Sequence, residues 1–193
     1  MRAIRNLAFS LMLMGLASGY AAAADNSALP DIKPGMAQVV VMRSTTVNAL
    51  VSSLLYDTTS GEPKVLGKIS NNRKIVLDLA PGEYTLMVGP NGLFEFMNVS
   101  VVEGKRYFAV VAPVWPANYF LRPVRHQDSG FLYGSKEFDR LLKKTKIADP
   151  YTETMDEKDR QKLMELYKAR WDKWQTKSDA EKLEVSIRPE DAQ

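Results

Sequence analysis

Short apolar runs separated by turn residues fill the chain between residues 36 and 126, and this pattern predicts β-strands. Within residues 74–79 every second position is Ile or Leu, as expected for a strand with one buried face. Residues 39–42 are apolar at every position, which predicts a central strand or one covered on both faces. Pro81-Gly82 fits the centre of a type II turn, because Pro presets φ and Gly accepts a positive φ. The pattern predicts strands at Ala37–Arg43, Ala49–Asp57, Lys64–Ile69, Lys74–Leu79, Tyr84–Val88, Phe94–Val102, Arg106–Val114 and Tyr119–Arg125.

The composition changes near Gly134, after which charged residues crowd the chain and glycine is absent. Ser135 can cap a short helix that runs through Lys143. Thr154-Met155-Asp156-Glu157 has the form of a capping box, and a longer helix is expected from there to about Thr176. This longer helix carries one stripe at helical spacing, formed by Leu163, Leu166, Tyr167, Arg170, Trp171 and Trp174.

Leu183, Val185 and Ile187 alternate with polar residues, which fits a final edge strand or an extended tail. The strand spacing is typical of an antiparallel sandwich or a small barrel. Of these we expect the sandwich, in a mainly β fold: an antiparallel β-sandwich of about 7–8 strands with a C-terminal α-helical extension. The expected boundaries are a signal peptide at 1–24, the β-sandwich domain at 25–134 and the charged helical extension at 135–193.

The first residues have the order of a secretory signal peptide. Arg2 and Arg5 precede the apolar run Leu7–Leu16, and four alanines end at Ala24. An uncleaved membrane anchor is the alternative, but Ser and Gly residues dilute the apolar run and no basic stop-transfer cluster follows. We therefore expect cleavage after Ala24, a periplasmic or secreted location, and no integral membrane span after cleavage.

Three segments resemble one family. They are Leu79-Ala-Pro-Gly-Glu-Tyr-Thr-Leu86, the preceding Gly35–Arg43 and the following Val101–Val111. Together they are similar to PEGA-type and transthyretin-like bacterial β-sandwiches, a group of secreted and lipoprotein domains of unknown function. The resemblance covers Gly35 to His126; it implies the sandwich and no catalytic residues. The chain has no cysteine, so it departs from the lipoprotein members, which carry a lipid-acceptor cysteine.

Charge and reactive residues narrow the classes of function. The formal net charge is +3, and two of the basic residues, Arg2 and Arg5, belong to the signal, which leaves +1. Nucleic-acid binding needs a strongly basic face, so we expect no nucleic-acid partner. Without cysteine and with the single histidine His126, the sequence offers no disulfide, no thiolate site and no recognisable metal-binding pattern. We expect no cofactor, no metal and no enzymatic activity.

Aromatic residues supply the candidate binding sites. The segment 114–120 contains three aromatics and two bends, and a loop of this kind can bind a peptide or stack on a sugar. The same rings would also serve to fill one end of the sandwich or to dock the helix. The candidate binding residues are Trp115, Tyr119, Phe120, Arg122, Arg125, His126, Tyr167, Trp171 and Trp174.

The predicted function is an exported, non-catalytic envelope module that binds a protein partner or has a structural role. The aromatic loop, the helix stripe and the sandwich edge strands are the surfaces a partner could use. The alternative is a glycan or small-ligand binding protein that uses the Trp115–Phe120 loop. The sequence leaves the oligomeric state open.

Overall fold

Ten strands and three α-helices are found in the computed structural model, which describes residues 28–46, 49–90, 93–114, 118–128 and 130–193. The mainly β character and the C-terminal helices predicted from the sequence are confirmed. A single 3₁₀ turn at Pro189–Asp191 precedes the C-terminus. The strands are β1 Ala37–Arg43, β2 Ser53–Asp57, β3 Lys64–Ile69, β4 Arg73–Leu79, β5 Gly82–Gly89, β6 Glu95–Val101, β7 Arg106–Val114, β8 Asn118–Arg125, β9 Phe131–Leu132 and β10 Lys146–Ile147. The helices are α1 Lys136–Lys144, α2 Glu157–Gln175 and α3 Asp179–Glu184.

The strands form two sheets. The six-stranded sheet has the order β10-β4-β1-β7-β8-β9, and the four-stranded sheet has the order β3-β2-β5-β6. The pairing is not wholly antiparallel as expected, because β1 with β7, β4 with β10 and β8 with β9 are parallel pairs. From β1 to β8 each strand reverses the direction of the one before it, so the odd-numbered neighbours β1 and β7 run the same way. We call the end where β1 finishes at Arg43 the apical end of the sheets, and the opposite end the basal end.

One hydrophobic core draws residues from both sheets. Val39 and Val41 of β1 belong to it together with Leu55, Leu86 and Val99 of the four-stranded sheet. These side chains alternate with residues that face outward, as the period-two pattern requires. The remaining buried members are Ala37, Ile69, Ile75, Leu77, Val88, Met97, Val101, Tyr107, Ala109, Val111, Tyr119, Leu121 and Ile187.

Helix α1 covers the outer face of the six-stranded sheet. Its N-cap is Ser135, as predicted, and the Ser135 hydroxyl accepts a hydrogen bond from the Phe138 backbone N–H. Phe138 and Leu141 pack against Val40 and Met42, the outward-facing residues of β1. The continuous apolar run at residues 39–42 is thus explained, because β1 is covered on both faces.

Helix α2 covers the outer face of the four-stranded sheet. Leu163, Tyr167 and Trp174 pack on Met87 and Phe96. The N-cap is Asp156 and not Thr154, so the helix begins two residues later than the expected capping box. The Asp156 carboxylate accepts from the Asp159 backbone N–H, and a negative group at a helix N-terminus also interacts favourably with the helix dipole.

The end of the chain joins the two sheets. Residues 183–187 do not form the edge strand considered above. Ser178 and Glu181 instead make a capping box that starts α3, and only Ile187 bridges to Val99 of β6. The Gln193 backbone N–H donates to the Arg106 carbonyl in the six-stranded sheet at 2.9 Å. We call residues 185–193 the C-terminal seam. Among the described residues, no helix is both long and apolar enough to cross a membrane.

Candidate functional site

The predicted aromatic loop is only partly described. Trp115 lies outside the described residues. Tyr119 is 1% exposed and belongs to the core between the sheets. Its ring lies 5.1 Å from the guanidinium carbon of Arg43, which is itself buried and donates to the Ile69 carbonyl at 3.2 Å. Burial lowers the pKa of Arg43, and the Tyr119 hydroxyl partly offsets this effect. In this structure Tyr119 therefore packs inside the protein.

Phe120 and Arg122 face the opposite way from Tyr119, because side chains alternate along β8. The Arg122 guanidinium lies over the Phe120 ring at 4.7 Å. Both residues border a small cleft of about 140 Å³ that also contains Glu95, Lys177 and residues of α3. Burial raises the pKa of Glu95, and the positive charges of Lys177, Arg170 and Arg122 act against that rise.

Arg125 is the last residue of β8 and His126 follows it, so both lie at the basal end, whereas Phe120 lies near the start of the strand. Arg125 is buried and forms an ion pair with Asp191, with Nε and Oδ2 3.4 Å apart. It also donates to the carbonyls of Leu183 and Ser186, both at 2.8 Å. His126 is exposed, and its Nε2 lies 3.0 Å from the Ala192 carbonyl. In this structure both side chains hold the C-terminal seam.

The helix stripe forms an aromatic cluster centred on Phe96. The Phe96 ring lies 6.1 Å from Tyr167, 5.4 Å from Trp171 and 5.8 Å from Trp174. Tyr167 and Trp174 are buried, and Trp171 is half-buried. The stripe therefore anchors α2 to the sheet. Because Phe96 also borders the small cleft with Phe120 and Arg122, the two predicted surfaces meet at β6, whereas Arg125 and His126 do not join them.

Sequence reasoning missed a larger cleft between the sheet and the N-terminal half of α2. We call it the apical cleft. Its volume is about 480 Å³. The apolar and aromatic part of its lining is Val51, Leu54, Tyr56, Pro90, Phe94, Tyr151, Met155, Leu163 and Leu166. Its polar lining includes Glu153, Thr154, Asp159 and Lys162.

The floor of the apical cleft is a pair of perpendicular rings. Tyr56 and Phe94 have ring centroids 5.8 Å apart and an interplanar angle of 76°. Burial, with a smaller effect of the neighbouring Tyr151, raises the pKa of Tyr56 to about 12. The Tyr56 hydroxyl is therefore neutral over the physiological pH range and can donate a hydrogen bond to a ligand.

A second cleft of about 570 Å³ lies on the other side of Met155 and Leu163. We call it the basal cleft. Its other walls include Glu62, Pro63 and Val65. Together the two clefts run along both sides of the first turns of α2. One sequence signal indicates this region. Leu54 and Tyr56 on β2 are apolar at the positions that face away from the core, so another element is expected to pack on this face of the sheet.

Within the described ranges, no group of three or more His, Asp or Glu residues is arranged to hold a metal ion. No protein-family model and no curated protein matches the chain.

Proposed function

We propose that this protein is an exported, non-catalytic envelope module that binds a protein partner through the apical cleft. In this proposal the signal peptide is removed after Ala24 and the mature chain works in the periplasm or outside the cell. The two sheets act as a β-sandwich frame, as the resemblance to PEGA-type and transthyretin-like domains implies. The C-terminal helices complete the frame and form one wall of the binding site.

The observation that carries this proposal is the lining of the apical cleft. Leu54, Tyr56, Phe94 and Leu163 provide an apolar floor, and charged residues stand at the rim. Specific protein interfaces have this anatomy, with a pocket for an apolar or aromatic anchor and a polar border. The volume also lies within the usual range of ligand sites.

The surroundings of His126 support a non-catalytic role. His126 borders a shallow cleft of about 170 Å³ whose other lining residues are Arg125, Gln127, Arg188, Glu190 and Asp191. None of these lining residues is a hydroxyl or amine nucleophile. The Tyr133 ring lies 4.7 Å from His126, and its hydroxyl is engaged because it donates to the Asp191 carbonyl at 2.8 Å. Asp191 accepts from both Arg125 and Arg188, at 3.4 and 3.1 Å. A carboxylate engaged in this way is a structural anchor and a poor orienting group for a catalytic histidine.

The test is site-specific photo-crosslinking in cells that export the protein, with the photoreactive residue at Met155 in the cleft. Lys168, on the exposed face of α2, is the matched position. We expect one specific protein adduct from Met155 and none from Lys168. The partner, once purified, should then bind Thr154→Trp, which fills the cleft, at least tenfold more weakly than Lys168→Trp. Equal binding by the two tryptophan variants would refute the proposal.

A second function, glycan or small-ligand binding, is supported by the stacking of Arg122 on Phe120 beside the small cleft. Aromatic faces with adjacent hydrogen-bond donors are suited to sugars. This function predicts that Arg122→Ala abolishes binding of a glycan to the purified chain, whereas Thr154→Trp leaves it intact. A glycan that binds both variants equally would exclude the Phe120 surface.

A further inference from the structure

The apical end of the sheets differs in charge from the basal end. The described connecting residues at the apical end are 44–46, 49–52, 70–72, 90 and 93–94, and none of these is acidic or basic. The basal connections include Glu62, Glu103, Lys105, His126 and Asp128. The two ends are therefore built for different surroundings.

The described part of the apical end exposes apolar side chains. Leu50 is 100% exposed and its neighbour Val51 is 41% exposed. Two hydrogen bonds anchor the flanks of these residues to the connection between β3 and β4. The Thr45 backbone N–H donates to the Asn71 side chain at 2.8 Å, and the Ser52 hydroxyl bonds to the Ser70 hydroxyl at 2.8 Å. The apolar tip is thus presented by a braced loop, and burying it in an apolar medium would be favourable.

Positive charge flanks this tip on the α1 side. Arg140 donates to the Ser44 hydroxyl at 3.4 Å, which places the last turns of α1 beside the apical loop. The Lys146 backbone N–H donates to the Asn72 carbonyl at 3.0 Å. Lys143, Lys144 and Lys146 are exposed, and none of the ion pairs formed within the described ranges involves them.

Acidic groups lie elsewhere around this end. Glu137 is paired with Arg140 at 2.6 Å. Glu153 and Asp159 stand at the rim of the apical cleft, on the α2 side. Asp139 lies on α1 four residues before Lys143, and Asp149 lines a cleft with Ser70, Asn71 and Arg73. Lys143, Lys144 and Lys146 outnumber Asp139, so the α1 side of the tip keeps a net positive charge.

We propose that the apical end binds the surface of an anionic lipid bilayer. Leu50 and Val51 enter the interfacial layer, and Lys143, Lys144 and Lys146 contact the anionic headgroups. An apolar tip supported by adjacent lysines is the combination that gives peripheral membrane binding, since neither term is sufficient alone. A protein partner of opposite charge is the competing occupant, but the described connecting residues at the apical end carry no charged side chain with which such a partner could pair. The proposal does not require a partner in the apical cleft, although Val51 borders both the tip and that cleft.

The test uses the chain from Asp25 onward, which keeps every described residue and omits the apolar leader. Sedimentation with vesicles of phosphatidylethanolamine and phosphatidylglycerol should show binding, and vesicles of phosphatidylcholine should bind at least tenfold less. Val51→Asp and Val102→Asp form a matched pair, because both valines are 41% exposed and Val102 lies at the basal end. We expect Val51→Asp to weaken binding at least fivefold and Val102→Asp to leave it unchanged. Each lysine changed to Gln should reduce binding about fivefold.

A fluorescence readout makes the test independent of sedimentation. Since the chain has no cysteine, Leu50→Cys and Val102→Cys each accept one environment-sensitive dye. We expect a blue shift on addition of the anionic vesicles for the label at position 50 only. Absence of binding to the anionic vesicles, or equal shifts at both positions, would overturn the proposal. If the protein binds no vesicles and its photo-crosslinked protein adduct is lost when Leu50 is changed, the tip contacts a protein instead.

Discussion

The two helical covers of this protein pack very differently on their sheets. In α1, Phe138 and Leu141 are buried in a helix of 9 residues, and the Phe138 ring lies 5.2 Å from Phe108. In α2 only Leu163, Tyr167 and Trp174 are buried among 19 residues. The C-terminal half of α2 is anchored by the aromatic cluster, but clefts of about 480 and 570 Å³ flank its N-terminal half.

This difference in packing indicates that the two helices serve different roles, one in stability and the other in binding. A short amphipathic helix gains its stability by burying its apolar face completely. A helix anchored at one end can leave apolar surface accessible at the other, which lowers stability but creates a pocket. We therefore assign the α1 face to the structural frame and the first turns of α2 to binding.

The largest effect should come from removing both covers. A chain that contains residues 25–134 exposes Phe108 and Phe96, and it removes Asp191 and the Leu183 and Ser186 carbonyls to which Arg125 donates. We expect it to show no cooperative unfolding transition by circular dichroism in urea, whereas the chain from 25 to 193 unfolds cooperatively. A cooperative transition of the fragment at the same urea midpoint would mean that the helices are independent of the sheets.

Single truncations on the two faces should sharpen the comparison. Phe138→Ala opens a cavity in a closed cluster and should lower the free energy of unfolding by about 3–5 kcal/mol. Leu163→Ala removes a side chain that already borders both clefts, so its effect should be near the lower end, about 2 kcal/mol. Urea unfolding of both variants measures the difference. If Leu163→Ala is as damaging as Phe138→Ala, the α2 face is as closely packed as the α1 face.

The C-terminal seam contacts both sheets, so a variant in it tests whether the stabilities of the two sheets are coupled. Asp191→Asn leaves the buried Arg125 without a full negative partner and should cost about 3 kcal/mol. Glu190→Gln is the matched control, because Glu190 pairs with Arg188 at the surface at 3.3 Å, and its effect should stay below about 0.5 kcal/mol. Hydrogen exchange should show loss of protection in both sheets for Asp191→Asn. Loss in the six-stranded sheet alone would show that the faces are uncoupled.

Much of the fold could be predicted from local patterns. The limits of Ala37–Arg43, Lys64–Ile69 and Arg106–Val114 were predicted to the residue, because apolar alternation and turn residues coincide there. Strand β2 starts at Ser53 instead of Ala49, since residues 49–52 belong to the apical loop. The parallel pairing of β1 with β7 depends on which strands move to the second sheet, and no local pattern encodes that choice.

The candidate site was harder to predict for a related reason. Alternation along β8 places Tyr119 and Phe120 on opposite faces, but the sequence alone does not say which face is internal. The apical cleft exists because β2, residues 89–90 and 94, and α2, far apart along the chain, meet only in the folded protein. Leu50 offers no local signal either, because an isolated leucine in a loop is buried as readily as it is exposed.

The smallest expected effect tests whether solvent reaches the Tyr56 hydroxyl at the floor of the apical cleft. Burial raises the pKa of Tyr56 from 10.0 to about 12 in the folded protein. Below pH 10 the ring is neutral in both states, and between pH 10 and 12 only the unfolded chain ionises, so stability falls as the pH rises. From pH 9 to pH 11 the wild-type chain should therefore lose about 1 kcal/mol more than Tyr56→Phe. Urea unfolding of both proteins at the two pH values measures this difference. If the free energy of unfolding falls equally in both proteins, water reaches the Tyr56 hydroxyl freely. The floor of the cleft would then be solvated, unlike the closely packed residues beneath α1.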